Sequence, residues 1–123
     1  MIRIWVAAAA IGGFFSVAAG AIAAHFATGD RAAALLRTGA LYGMVHAAAL
    51  IAVTTMAEAR SRLKYPLLAA GWSFAAGMIL FSFSLFGQAL TGFEWLGLVT
   101  PFGGAGLLVG WAALGLHVFD RAH

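Results

Sequence analysis

Cysteine is missing from all 123 residues, which excludes disulfides, thiolate metal sites and thiol catalysis together. Charge is scarce as well. Asp, Glu, Lys and Arg make up 9% of the chain while 63% is hydrophobic, a balance no water-facing domain of this size could display without aggregating. Seven Lys/Arg against four Asp/Glu leave a formal net charge of +3; that suits loops beside anionic lipid, and no nucleic-acid footprint is expected.

What is present is apolar and long. Four uncharged runs, Ile4–Gly29, Thr38–Ala57, Tyr65–Phe93 and Trp95–Phe119, hold 26, 20, 29 and 25 residues. A helix needs about 20 residues to cross ~30 Å of hydrocarbon at 1.5 Å per residue. The expected fold is therefore all-α: one integral membrane domain over residues 1–123, an up-down four-helix bundle with helices at about 4–26, 38–56, 66–90 and 101–119. The first run also resembles a secretory signal, with Arg3 ahead of an apolar stretch and the small triplet Ala21-Ile22-Ala23. It exceeds the apolar core typical of such signals and three more runs follow, so it reads as an uncleaved first helix.

The connections are short, so sequential helices should be antiparallel neighbours. Thr28-Gly29-Asp30 breaks the first helix, and Arg31 to Arg37 reads as the interfacial start of the second. Pro66 falls where a helix's first turn tolerates it, and Thr100-Pro101 opens the fourth helix. Trp5 and Tyr65 are expected in one interfacial belt and Trp95 in the other. With the amino terminus inside, the inner side carries Arg3, Arg60, Arg62, Lys64 and Arg121 and the outer side Arg31 and Arg37, five against two. The excess places both termini in the cytoplasm and the chain in the inner (plasma) membrane.

Small residues supply the strongest pattern. Ala8, Gly12, Ser16, Gly20 and Ala24 recur every four residues in the first helix; Gly39, Gly43 and Ala47 do so in the second, Gly71 and Ala75 in the third, Gly106 and Gly110 in the fourth. Such spacing lets backbones approach closely, within the bundle or against a partner helix.

Polar residues in hydrocarbon are costly enough to be functional candidates. His46 lies ~12 Å inward of Thr38 at 1.5 Å per residue, and it shares a helix face with Gly39, Tyr42 and Gly43. Ser84 and Gln88 form an i,i+4 pair on the third helix, and His25 and Thr100 sit near the same outer end. The candidate ligand or proton site is therefore His46, Tyr42, His25, Gln88, Ser84 and Thr100, all expected to face or rim the bundle interior. The bland alternative is that each is satisfied locally, Ser82 and Ser84 by their own helix carbonyls. His117 and His123 are expected at the inner end in contact with headgroup water.

No catalytic residue, cofactor or metal site is expected. His25 and His46 differ in depth, which disfavours haem, and Met44 or Met78 would have to complete a copper site. Gly103-Gly104-Ala105-Gly106 lacks the Gly-Lys-Ser/Thr ending of a phosphate loop and reads as helix packing. Asp30 and Asp120 fall on opposite sides, so no Ser-His-Asp set can form. A weak internal repeat relates Thr28-Gly29…His46 to Thr91-Gly92…Trp111, suggesting two parallel hairpins.

The run Gly20-Ala21-Ile22-Ala23-Ala24-His25, the Tyr42…His46-Ala47 segment and Leu80-Phe81-Ser82-Phe83-Ser84-Leu85 carry a resemblance. So do Leu90-Thr91-Gly92, Thr100-Pro101-Phe102-Gly103-Gly104 and Gly110-Trp111. Together these resemble domain-of-unknown-function family 423, itself similar to vertebrate transmembrane protein 256. The chain departs from the family pattern at Ala23, where glycine is usual, and at Gly43, where glutamine is common. The resemblance implies a four-span inner-membrane protein and brings no activity. Three function classes remain: an accessory or assembly subunit packing against partner helices, as a homo-oligomer or in a larger membrane complex; a small transporter, channel or proton-linked carrier; and a binder of metal, haem, quinone or lipid.

Overall fold

The computed structural model describes residues 1–26, 29–60 and 64–120, the last without its side chain. Thr28, Arg62, Arg121 and His123, on which parts of the turn, charge and histidine readings fall, lie outside the described residues. Helices α1 (Ile2–His25), α2 (Asp30–Glu58), α3 (Tyr65–Thr91) and α4 (Thr100–Asp120) account for most of the chain, and there is no strand among the described residues. All four spans are long and apolar enough to cross a membrane.

Local chemistry sets the helix ends. Asp30 stands in the first turn of α2, where a carboxylate meets the positive end of the helix dipole. This helix runs 29 residues, ~44 Å at 1.5 Å per residue, so its Arg31–Arg37 start extends past a ~30 Å hydrocarbon layer. Pro66 occupies the first turn of α3, where its missing N–H costs nothing. The other end of α3 closes on Gly92 at φ 78°, whose N–H donates to Gln88 O at 2.9 Å. A left-handed residue after the last turn satisfies a stranded carbonyl, and glycine takes that conformation without a Cβ clash. A short 3₁₀ turn, Glu94–Leu98, then leads into α4 where the sequence suggests only a plain connection.

Each helix packs on the next, α1 also touches α3, and α4 lies on α3. The fold is therefore a trio, α1 to α3, with α4 applied to the outer side of α3. The α1–α2 and α3–α4 connections lie at one end, called the far end below; the α2–α3 connection and the N-terminus lie at the other, the terminal end.

Small residues set the distances. A Cβ on Gly43 would run into the Ser16 side chain, and one on Gly12 would lie 2.5 Å from Met78 Sδ. On Gly39 it would come within 2.6 Å of the Phe86 ring, and on Gly110 within 2.5 Å of the Phe74 ring. Gly77, Gly103 and Gly106 let the α3 and α4 backbones touch: a Cβ on Gly77 would stand 2.8 Å from Leu107 N. Gly20 is looser, with Ala40 Cβ at 3.9 Å, and Ala24 faces outward. The four-residue stripe leaves the contact because each step of four advances ~40° around a helix of 3.6 residues per turn. The buried face of α1 instead follows Trp5, Ala8, Gly12, Ser16, Ala19 and Ala23.

Trp5 differs from the interfacial expectation. Its side chain is fully buried against Gly71, edge-on to Trp72 at 5.9 Å, and its indole N–H has no partner among the described residues. The bare α3 backbone at Gly71 provides the slot that draws the ring inward. His117, expected at the wet inner rim, is also buried, because it lies on the side of α4 turned to the trio.

These contacts order the glycines by tolerance. Gly43→Ala should destabilise the protein by about 1–3 kcal/mol through overpacking, whereas Gly20→Ala should be neutral or stabilising through helix propensity. Thermal unfolding of both variants in detergent checks the ranking.

Candidate functional site between the second and fourth helices

Between α2 and α4 there is little direct packing, and three polar bridges span the gap. At the far end, Arg31 of α2 pairs with Glu94 of the 3₁₀ turn at 3.1 Å, both side chains well exposed. Midway, the Trp111 indole N–H donates to His46 Nε2 at 2.9 Å. At the terminal end, the Arg60 guanidinium donates to His117 Nε2 at 3.1 Å.

The central bridge fixes the state of His46. An indole can only donate and a backbone carbonyl can only accept. Since Nε2 receives the Trp111 proton and Nδ1 lies 2.7 Å from Tyr42 O, the ring must carry its proton on Nδ1 and donate it to that carbonyl. Both ring nitrogens are thereby occupied. Phe74, fully buried, packs against the rings of His46 and Trp111 at centroid distances of 5.6 and 5.0 Å. It fits there because Gly110 leaves room for its edge, which also brings the Trp111 backbone close enough for the indole to reach α2.

The other candidates separate into smaller groups. The α2 face divides: Gly43 serves α1 and Gly39 serves α3, while Tyr42 turns outward with 42% of its surface exposed. Its ring lies parallel to that of His46 at 6.1 Å and packs on Phe81 at 4.8 Å. Residues 42 and 43 are ~100° apart around the helix, so a contact that buries Gly43 turns Tyr42 away. Ser84 is buried and donates to Phe81 O at 2.9 Å. Its one proton is then committed, so the Thr100 hydroxyl is the donor in the 2.6 Å contact between them. Gln88 lies beside Gly97 of the 3₁₀ turn, and His25 is exposed at the end of α1 with its ring near Phe26. The six candidates thus form a His46–Tyr42 pair and a Ser84–Thr100 pair, with Gln88 and His25 apart.

Two working residues were not among the candidates. Trp111 was noted only as a repeat and family position, and the two positions that the weak repeat relates, His46 and Trp111, are the ones that meet. Ser82 bonds across to Gly39 O at 2.8 Å instead of to its own helix, because Gly39 lets the α2 backbone come within reach.

Tyr42, His46, Phe81, Pro101, Gly104, Ala105, Leu107, Leu108 and Trp111 line a lateral groove of about 500 Å³ between α2 and α4. Its walls are almost wholly apolar and it opens sideways. Among the described residues no three of His, Asp and Glu converge as a metal would require.

Residues 19–104 match the family model described as "Protein of unknown function (DUF423)". The UPF0382 membrane protein YwdK of Bacillus subtilis is 33% identical over 112 residues, covering 89% of this chain and 90% of that protein. A UPF0382 membrane protein of Haemophilus influenzae is 35% identical over 108 residues, 85% of each chain. The UPF0382 inner membrane protein YgdD of Escherichia coli K12 is 34% identical over 112 residues, 86% of this chain and 82% of its own. No solved structure matches. A family model spanning most of the chain, and relatives at a third identity along most of their length, agree with four apolar spans: the chain belongs to the DUF423 family of small membrane proteins.

Proposed function

We propose that this chain is an accessory or assembly subunit of the inner membrane, with both termini cytoplasmic, that acts by packing its outward helix faces against partner helices. The observation that carries this reading is the internal use of four polar side chains embedded in the spans. His46, Ser82, Ser84 and Thr54 all bond within the chain, and the groove beside His46 is apolar. A carrier of protons or polar solutes needs polar groups free to exchange partners along a path; here both nitrogens of His46 serve as a strut. Meanwhile α1 and the Glu94–Phe119 span that holds α4 are the least covered, at 33% and 28% buried against 50% for α3. Phe14 and Val17 on α1 and Phe102 and Val109 on α4 stand exposed.

Site-specific photo-crosslinking from Phe14, Val17, Phe102 and Val109 in living cells tests the packing role. Adducts of one defined mass from positions on one face are expected; their absence at all four positions would overturn it. Adducts of twice the chain mass identify the partner as a second copy.

The orientation rests on the five-to-two excess of positive charge on the terminal side. The lack of native cysteine makes single-cysteine labelling clean. Phe93→Cys should react with an impermeant maleimide added outside spheroplasts, and Glu58→Cys only after lysis. The reverse pattern would invert the topology.

If His46 is a strut, removing either end of its bridge should have coupled effects. A double-mutant cycle of His46→Ala and Trp111→Phe, read by unfolding in detergent, should give a coupling of about 0.5–1.5 kcal/mol. Zero coupling would deny the strut.

A further inference from the structure

The groove between α2 and α4 has a defined length, with a polar bridge at one end. Thr100 to Asp120 is 21 residues, ~31 Å of helix, which matches the hydrocarbon thickness. Trp111 is therefore near the middle of the membrane and Pro101 near its far-end surface. The lining residues of α4 run from Pro101 to Trp111, a rise of ~15 Å, or the depth of one leaflet. At its deep end stands the Trp111–His46 hydrogen bond between the two helices.

Two further features concern what occupies it. Tyr42 lines the groove, its hydroxyl has no hydrogen-bond partner among the described residues, and in hydrocarbon a phenol O–H without an acceptor is costly. Side chains on a helix tilt toward its N-terminus, which for α2 is the far end, so this donor points back toward the surface. Beyond the rim, the exposed Arg31–Glu94 pair presents one charge of each sign between α2 and the segment leading into α4. Arg31 precedes Tyr42 by 11 residues, about three full turns, and so shares its side of the helix.

We propose that this groove is a binding site for one phospholipid of the far-end leaflet. One acyl chain lies along Gly104, Ala105 and Leu108 down to Trp111. The Tyr42 hydroxyl donates to an acyl ester carbonyl, and the zwitterionic headgroup extends from there toward the Arg31–Glu94 rim. A chain one leaflet long fits a groove one leaflet deep, and a volume near 500 Å³ lies within the ~300–1,000 Å³ range of ligand sites. The site is independent of whether a protein partner exists, because it lies in the cleft between α2 and α4.

The test is native mass spectrometry of the full chain in mild detergent, with dioleoyl phosphatidylethanolamine titrated in. The wild type should retain one lipid at concentrations where Ala105→Phe, which fills the groove from an exposed position, retains at least fivefold less. Tyr42→Phe should weaken retention about three- to tenfold, the loss of one hydrogen bond. Ile11→Phe, exposed on α1 and away from the groove, should change nothing. If Ala105→Phe does not fold by its melting curve, Leu108→Trp, at a position 72% exposed, takes its place. Equal retention by wild type and groove-filled protein would overturn the proposal. So would equal loss in Ile11→Phe, or displacement of the lipid by a decyl-benzoquinone at equimolar concentration, which would assign the groove to a planar ring.

Discussion

Lipid tails are as apolar as the side chains they surround, so burying leucine against leucine inside a membrane gains little, and helices must associate by close packing and by hydrogen bonds. Every contact in this protein answers to that constraint. Where α1 meets α2, Ser16 sits on Gly43; where α3 meets α4, Gly77 meets Leu107 and Gly103 meets Phe81. The glycines act as sockets of definite shape: Met78 enters at Gly12, the Phe74 edge at Gly110 and the Trp5 ring at Gly71. Large flat side chains and bare backbone are the two halves of one packing device.

Hydrogen bonds do what packing leaves undone. Because α4 lies on α3, it faces α2 across a gap, and one polar bridge holds each level of that gap: an ion pair at one surface, an indole on an imidazole at mid-depth, a guanidinium on an imidazole near the other surface. The chemistry follows the local medium. The exposed Arg31–Glu94 pair stands where water and headgroups reach it, Arg60 is half-buried just past the end of α2, and the neutral pair lies at mid-depth, where an unpaired charge would be most costly. The same gap leaves an apolar groove open to the side, so the bridges and the groove are one feature seen from two directions.

Much of this was legible in the residues. The four spans, the proline-led openings of α3 and α4 and the turn at Gly92 rest on local rules that act within a few residues. Small-residue spacing pointed to Gly12, Ser16, Gly39 and Gly43, but a strict four-residue step ran on to Ala24, which the helical period carries out of the contact. His46 stood out as a costly polar residue. Its partner did not, since Trp111 is 65 positions away and an indole in a hydrophobic run looks like any other core or interfacial ring. Ser82 was assigned to its own helix for the same reason: nothing local reveals that Gly39 brings a foreign carbonyl within 2.8 Å. Periodicity tells which face is buried and not what it is buried against.

The arrangement of helices also carries a history. The trio α1 to α3 is complete in sequence order, each helix finding its main contacts among segments already made, whereas α4 needs the α3 surface and its two bridge partners, His46 and Arg60, in place before it can dock. Synthesis proceeds from the N-terminus, so α4 leaves the ribosome after the three helices whose packing it needs. Until it arrives, the Gly77 face of α3 and the Nε2 edge of His46 lack the partners they have in the complete fold, so the polar bridges can close only on a scaffold that is already threaded.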